Sequence, residues 1–176
     1  VRSAVDWLLA EEVQVKGDWA GKRPDLDAPG WEFEFAHHAY PDIDDTAEVV
    51  LALRRTGQVL RPEVAAAVRR GTRWAVGMQS RDGGWGAFDA DNTKEYLNHI
   101  PFADHGALLD PPTEDVTARG IRMLAQLGDA PDTTPVAVPL RFLRATQLAA
   151  RRSCRRGGVT RLHRPRAARV PAPAPR

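Results

Sequence analysis

The segment PDIDDTAEVVLAL, residues 41–53, opens with three carboxylates and continues with apolar residues at helical spacing. Asp42, Asp44 and Asp45 follow closely on the aromatic run WEFEF at residues 31–35. Carboxylates that share a small site cannot all ionise, so at least one is driven toward its protonated form and can act as an acid. Aromatic faces can hold a cation. The segment therefore predicts a helix that begins beside a proton donor and beside rings suited to carbocation chemistry.

The same acids also have a purely structural interpretation. Asp44 or Asp45 could cap the helix, and Asp45 with Glu48 resembles a capping box, because carboxylates accept hydrogen bonds from the free N–H groups of a first helical turn. Both interpretations stay open on the evidence of this segment alone.

Apolar residues recur at helical spacing along the chain, and Gly and Pro cluster between these segments. Pro62 suits the first turn of a helix, while Gly57 and Gly128 suit the C-terminal ends of two others. No stretch alternates convincingly as a strand. We expect an all-α fold.

Helical segments repeat along the chain. One begins at residues 45–47 and ends at Gly57, and another begins at residues 115–118 and ends at Gly128, so the two glycines are 71 positions apart. Two helices per unit of this length predict part of an α/α barrel (toroid), in which each helix pair buries its apolar face against its neighbours.

A second repeat consists of a glutamine followed by Gly-x-Trp. It occurs at residues 14–19 and again at 79–85, and Gln147 begins a third copy that lacks its Gly-x-Trp. Gln can hydrogen-bond loop backbone, and Gly lets a Trp ring lie across the next element. We expect Trp19 and Trp85 to be structural.

Basic charge is concentrated at the C-terminal end. Residues 149–176 hold nine of the 25 lysine and arginine residues and no acid, so the preceding part has 16 basic against 23 acidic side chains. We expect residues 1–148 to fold and residues 149–176 to form a disordered Arg/Ala/Pro tail. An arm for nucleic acid or anionic lipid is one interpretation of the tail. We favour a disordered extension, for which a frameshift is one origin and a natural extension the other, and we expect no nucleic-acid partner.

Two further classes of feature are expected to be absent. Cys154 is the only cysteine, which excludes internal disulfides and cysteine-based metal sites and favours a reducing compartment. We expect no secretory leader at Val1 and no membrane-spanning segment.

The motifs together resemble those of squalene–hopene cyclases, the class II triterpene cyclases of bacteria. The resemblance covers residues 1–148 and rests on GDW (17–19), GWEFEF (30–35), YPDIDDTA (40–47), QSRDGGWGAFD (79–89), NHIPF (98–102) and DPPTEDVTAR (110–119). It implies part of the catalytic α/α-barrel domain of an enzyme that protonates a terminal alkene of squalene and forms hopene or hopanol through carbocations. It also implies no cofactor, no metal, peripheral attachment to the cytoplasmic side of the bacterial membrane, and a homodimer as one assembly.

The resemblance implies roles for individual side chains. Asp44 would be the acid, Asp42 and Asp45 would support it, and Arg119 would stabilise the anion that remains. The residues implied at the substrate or its cations are Trp31, Phe33, Phe88, Phe102, Asp110 and Asp115, with Phe102 at the channel constriction and Phe88 where the family can carry Tyr. Packing, helix capping and solvation are the structural alternatives for these side chains.

Other functions also stay open. The chain could belong to another polyprenyl or triterpene cyclase with the same acid motif, to an α/α-barrel glycosidase with two carboxylates, or to a non-catalytic helical module that binds a partner. A Mg²⁺ site at the acids is a further alternative. Because members of the resembled family are several times longer, we expect the chain alone to be inactive or to aggregate.

Overall fold

The computed structural model describes residues 1–27, 30–33, 39–94 and 109–155, with residues 150–155 described by their backbone alone. These residues form α1 (Arg2–Ala10), a 3₁₀ turn (Asp18–Gly21), β1 (Trp31–Glu32), β2 (Pro41–Asp42), α2 (Ile43–Arg55), α3 (Pro62–Gly77), α4 (Glu114–Leu127) and α5 (Thr134–Arg155). The two strands are two residues long and pair antiparallel. The predicted all-α class is confirmed.

Local sequence sets the ends of the helices. Pro62 occupies the start of α3, where its missing N–H costs no hydrogen bond. Gly128 caps α4 with φ of +105°, and Gly57 lies just beyond α2 with φ of +71°. Both values belong to the left-handed region that a residue without Cβ adopts readily. The predicted roles of these three residues are confirmed.

Helix α2 is the centre of the core, because it packs against α3 on one side and α4 on another. Its buried face includes Ala47, Val50 and Leu53, which recur at helical spacing. Val64 and Trp74 of α3 complete this core, while α4 also packs against α5. The start of α2, which carries the three acids, is therefore fixed on a buried helix.

Side chains join α2 and α4 along their length. Glu48 pairs with Arg122. Two turns farther along α2 and one turn farther along α4, Arg55 donates to the side-chain oxygen of Gln126 at 2.6 Å. Because successive contacts advance in the same direction on both helices, α2 and α4 run parallel. This arrangement agrees with the 71-residue offset between the two helical segments.

Trp31 and Trp85 occupy equivalent positions in the repeat. The backbone N–H of Trp31 donates to Thr46 Oγ1 at 2.9 Å and its indole N–H donates to the Leu8 carbonyl at 2.7 Å. Trp85 makes the corresponding bonds to Thr117 Oγ1 at 3.0 Å and to the carbonyl of Ala75 at 2.7 Å. Each tryptophan thus ties the helix before it to the helix after it.

The sequence repeat matches Trp85 with Trp19, whereas in the structure the equivalent of Trp85 is Trp31. Trp19 lies in the 3₁₀ turn and packs edge-to-face on Trp74, with ring centroids 5.9 Å apart. The glutamine part of the prediction is confirmed, since Gln79 donates its side-chain N–H to the Gly83 carbonyl at 3.0 Å. Both Trp19 and Trp85 are buried and structural.

Helix α5 continues to Arg155 and so runs past the boundary predicted at residue 148. Residues 156–176, the remainder of the predicted tail, lie outside the described residues. None of the helices in the described ranges is long and apolar enough to cross a membrane.

Candidate active site

The three acids lie where β2 meets α2. The pairing of Trp31 with Asp42 sets the end of β2, and the Asp42 side chain then accepts the Asp45 backbone N–H at 2.8 Å as the cap of α2. Asp42 is therefore the residue that caps α2, and the structural interpretation in which Asp44 or Asp45 caps the helix is wrong. The reason is that α2 begins earlier, at Ile43, which places both other acids inside its first turn.

Asp42 is 3% exposed. Burial raises its pKa to about 6, and the charges of Asp45 and Asp44 add to the rise, although the hydrogen bond from Asp45 N–H opposes it. A carboxyl group with this pKa is partly protonated near neutral pH. Protonation of Asp42 therefore lowers the negative charge of the acid cluster as pH falls through about 6.

Asp44 faces Arg119 of α4, with Nε of Arg119 3.4 Å from Oδ1 of Asp44. The two side chains are 29% and 47% exposed, in the order Asp44 and Arg119. Burial raises the pKa of Asp44; the charge of Arg119 opposes this rise, and the charges of Asp115 and Glu48 add to it. The Oδ1 atom is buried and accepts no hydrogen bond from any residue that the structure describes. Burial thus favours the acid form of this carboxyl group, whereas the fixed cation beside it favours the anion.

The pKa values of the surrounding acids move in opposite directions. Burial raises the pKa of Asp45, and the charge of Asp44 raises it further. The nearby hydroxyl of Thr113 and the backbone N–H of Val116 lower the pKa of Asp115, which favours its anion. Acids whose pKa values shift in opposite directions can divide the roles of proton donor and charged neighbour between them.

Two phenylalanine rings lie close to the start of α2. Phe33 directly follows β1, which pairs with β2, and Phe88 directly follows Ala87, whose carbonyl accepts the Ile43 N–H at 2.9 Å. The two rings meet edge-to-face with centroids 5.9 Å apart and an interplanar angle of 87°. Phe33 is 61% exposed, so its ring is available to a ligand rather than buried in the core.

A cavity of about 240 Å³ opens beside the ring of Phe33, between α1, β1 and α2. Its lining is mostly apolar and includes three acids. The lining residues are Trp7, Leu8, Glu11, Trp31, Glu32, Phe33, Asp45 and Val49. Trp31 is buried and also contributes to the cavity lining. Of the acid cluster, the lining includes Asp45 but not Asp44, so the cavity offers an apolar ligand a surface that reaches the neighbour of Asp44.

Asp110 contacts the loop that carries Phe88 rather than the cavity described above. Its carboxylate accepts the backbone N–H groups of Ala87, Phe88 and Asp89, at 2.9, 2.5 and 2.7 Å. Because Ala87 is in turn bonded to Ile43, Asp110 fixes this loop against the start of α2. Its predicted role at the substrate stays a prediction.

The remaining expectations divide into two groups. Phe102 lies outside the described residues, so its predicted place at a channel constriction stays a prediction. Within the described residues, no group of three or more His, Cys, Asp or Glu side chains is arranged to hold a metal ion.

Sequence reasoning missed the cavity wall supplied by α1 and the pairing of Glu48 with Arg122. Trp7 and Leu8 of α1 line the cavity, yet on sequence alone they show only helical periodicity. The pairing follows from the sequence only once Asp44 is matched with Arg119, because Glu48 is one turn from Asp44 and Arg122 is one turn from Arg119.

Comparison with known proteins identifies the family. Residues 1–163 match the model of the squalene–hopene cyclase C-terminal domain. The chain is 52% identical over 151 residues to a probable squalene–hopene cyclase of Sinorhizobium fredii, covering 84% of this chain and 23% of that protein. It is 52% identical over 153 residues to the squalene–hopene cyclase of Bradyrhizobium diazoefficiens, covering 83% and 23%.

A fungal relative gives the same result. The chain is 50% identical over 145 residues to the squalene–hopene cyclase of Schizosaccharomyces japonicus, covering 82% of this chain and 22% of the relative. The chain thus spans less than a quarter of the length of these curated relatives. With its helix pairs, its acid cluster and this similarity over most of its length, the chain belongs to the squalene–hopene cyclase family, whose C-terminal domain is an α/α barrel.

Proposed function

We propose that the chain supplies the acid-bearing part of a triterpene cyclase. In this proposal Asp44 protonates a terminal alkene of squalene and starts a polycyclisation that ends in hopene or hopanol. The observation that carries the proposal is the position of Asp44, a partly buried carboxyl group 3.4 Å from the fixed cation Arg119. The names of the relatives supply squalene and hopene as the expected substrate and product.

The proton balance of the reaction assigns a role to each group. The O–H bond of Asp44 breaks as its proton forms a new C–H bond with one alkene carbon, and the neighbouring carbon becomes the cation. Asp44 is then an anion, which Arg119 stabilises. An alkene is a far weaker base than water, so the transfer requires a site with little water and with preorganised charges.

The rings of Phe33 and Phe88 would stabilise the cation without attacking it. A ring face attracts positive charge but supplies no lone pair that traps it. The last cation loses a proton to give an alkene, or it binds water and the resulting oxonium ion loses a proton to give an alcohol. Either route releases one proton, which balances the proton that Asp44 must regain before the next turnover.

A chimera tests the proposal, because the chain alone lacks most of the length of its relatives. Residues 1–148 of this chain would replace the corresponding segment of the Bradyrhizobium relative, and product formation from squalene would be followed by gas chromatography. General acids contribute roughly 10²–10⁴-fold to rate, so we expect Asp44→Asn to lower turnover by about that factor.

The matched control is Asp25→Asn, which removes an exposed acid outside the cluster and leaves turnover unchanged. An active chimera whose Asp44→Asn variant keeps full turnover would refute the proposal. A longer polyprene and an oligosaccharide, offered to the same chimera, separate the squalene enzyme from another polyprenyl cyclase and from a glycosidase. A chimera that binds a partner protein and turns over none of the three would favour a non-catalytic module.

We also propose that the whole protein attaches peripherally to the cytoplasmic side of a bacterial membrane, where an apolar polyene is dissolved. The argument is chemical, since squalene partitions into lipid. Flotation of the chimera with vesicles of bacterial phospholipid tests this attachment, and recovery of all the protein in the vesicle-free fraction would contradict it.

A further inference from the structure

A second ion pair lies one helical turn beyond Asp44 and Arg119. Glu48 follows Asp44 by four positions on α2, and Arg122 follows Arg119 by three on α4. Nη1 and Nη2 of Arg122 lie 2.9 Å from Oε1 and Oε2 of Glu48, respectively. The guanidinium therefore holds both oxygens of this carboxylate at once.

The two neighbouring pairs differ in geometry. Arg119 approaches Asp44 through one nitrogen at 3.4 Å, whereas Arg122 binds Glu48 at two points. A carboxylate prefers the two-point contact, because it then accepts two parallel charge-assisted hydrogen bonds. Glu48 without Arg122 would therefore seek the next guanidinium, which on α4 belongs to Arg119.

The charged groups around Asp44 decide what such a competition would change. On α2 and its cap, the acids near Asp44 are Asp42, Asp45 and Glu48. On α4, the charged neighbours are Asp115 and Arg119. Four of these five groups are acids. Arg119 supplies the opposing charge, so its diversion would leave Asp44 among carboxylates.

We propose that Arg122 is a positioning residue for the acid: by holding Glu48 at two points, it reserves Arg119 for Asp44. Arg122 acts through Glu48 and Arg119 and does not touch the substrate. The importance of this arrangement for turnover rests on the proposed function, whereas the arrangement itself is measurable without a substrate.

The first experiment titrates the carboxyl carbon of Asp44 by NMR in the 176-residue chain, with the signal assigned from Asp44→Asn. We expect Arg122→Gln to raise the pKa of Asp44, because Glu48 then competes for Arg119. We expect Glu48→Gln to lower it, because a nearby anion is lost. The double variant should titrate like Glu48→Gln, because no competitor remains when Arg122 is absent.

Arg55→Gln is the matched control. It breaks another side-chain bond between α2 and α4, the one with Gln126, without freeing a carboxylate. A merely structural role of Arg122 predicts that Arg55→Gln and Arg122→Gln move the titration alike. That result would overturn the inference, as would a double variant that titrates like Arg122→Gln.

The same variants in the chimera give a second measurement that does not require the chain to stay in solution alone. If protonated Asp44 is the active form, Arg122→Gln moves the alkaline decline of kcat/KM to higher pH and Glu48→Gln moves it to lower pH. Unchanged profiles in an active chimera would overturn the inference. The expected titrations in a chimera without cyclisation would support the inference and refute the proposed function alone.

Discussion

The Nε atom of Arg119 lies 3.4 Å from Oδ1 of Asp44 and thereby joins the second turn of α4 to the first turn of α2. The contact connects two helices that are equivalent in the internal repeat. It places a permanent guanidinium charge beside a carboxyl group whose pKa burial raises. A fixed cation should stabilise the Asp44 anion to the same extent at every pH near neutrality.

Replacement of this fixed charge by a titrating one should make turnover depend on pH. In the chimera, Arg119→His supplies an imidazole whose ordinary pKa is about 6.5, so the stabilising cation is lost as pH rises above that value. We expect turnover of Arg119→His, relative to the parent, to fall across roughly pH 6–8. The measurement is the initial rate of product formation at a series of pH values.

Arg119→Lys is the control, because lysine keeps its charge throughout this range. Its rate relative to the parent should be independent of pH, even if the changed geometry lowers it. A ratio for Arg119→His that is flat between pH 6 and 8 would contradict a role of this charge in stabilising the Asp44 anion.

Asp42 should make the stability of the fold depend on pH in the direction opposite to most acids. Its pKa is about 6 in the folded chain against an ordinary value of 3.8, so the unfolded chain releases this proton more readily. The contribution of Asp42 to stability is therefore present at low pH and is lost as pH rises through this window. Asp42→Asn keeps an oxygen that caps α2 but cannot ionise.

We expect the free energy of unfolding of Asp42→Asn, minus that of the parent, to increase between pH 4 and pH 6 and then to level off. Urea unfolding at several pH values measures this difference. Asp25→Asn, at an exposed position, should show a difference that changes little with pH. A difference for Asp42→Asn that is constant over the whole range would contradict the effect of burial.

Sequence reasoning reached those features that depend on local chemistry. The helix start at Pro62 and the end at Gly128 follow from the constraints on proline and glycine, and both are as predicted. The acid cluster was visible because its members are adjacent in the chain. Which acid caps α2 depends on the first hydrogen-bonded residue, and the pairing of β1 with β2 shifts that residue to Ile43.

Features that depend on packing across the fold were less accessible. Trp19 and Trp85 share a sequence motif, but in the structure the equivalent of Trp85 is Trp31. Each of these two tryptophans hydrogen-bonds to a carbonyl of the preceding helix and to a threonine of the following helix. Similarly, Arg122 meets Glu48 only because α2 and α4 run parallel in one register. Spacing within one helix does not determine that register.

The close contact of Gly71 with Trp31 predicts a loss of stability in Gly71→Ala. A Cβ atom at this position would lie 2.8 Å from Cζ3 of Trp31 and 2.9 Å from Cγ2 of Val50, so a buried side chain must move. Overpacking of this kind costs about 1–3 kcal/mol, more than the gain of up to ~1 kcal/mol from replacing a helical glycine.

Thermal or urea unfolding measures the change, and Gly21→Ala is the control because a Cβ there meets nothing within 4 Å. We expect Gly71→Ala to be the less stable of the two. A melting temperature for Gly71→Ala equal to or above that of the parent would show that Trp31 can shift without cost.

The hydroxyl of Thr117 should contribute more to stability than a hydroxyl that serves only its own helix. Thr117 Oγ1 accepts the buried N–H of Trp85 at 3.0 Å, so Thr117→Val leaves that donor without a partner inside the core. An unsatisfied buried N–H costs about 1–3 kcal/mol. Thr72→Val is the matched control. Thr72 donates to the Val68 carbonyl one turn earlier in α3, so this variant removes the donor itself and leaves no N–H without a partner.

Thr46→Val extends the comparison to the other half of the repeat, because Thr46 accepts the N–H of Trp31 at 2.9 Å. If the two tryptophans are equivalent, Thr46→Val and Thr117→Val lower the free energy of unfolding by similar amounts, and both exceed the effect of Thr72→Val. Urea unfolding of the three variants measures these differences. Equal effects of all three would mean that the tie between tryptophan and threonine adds nothing beyond an ordinary helical side chain.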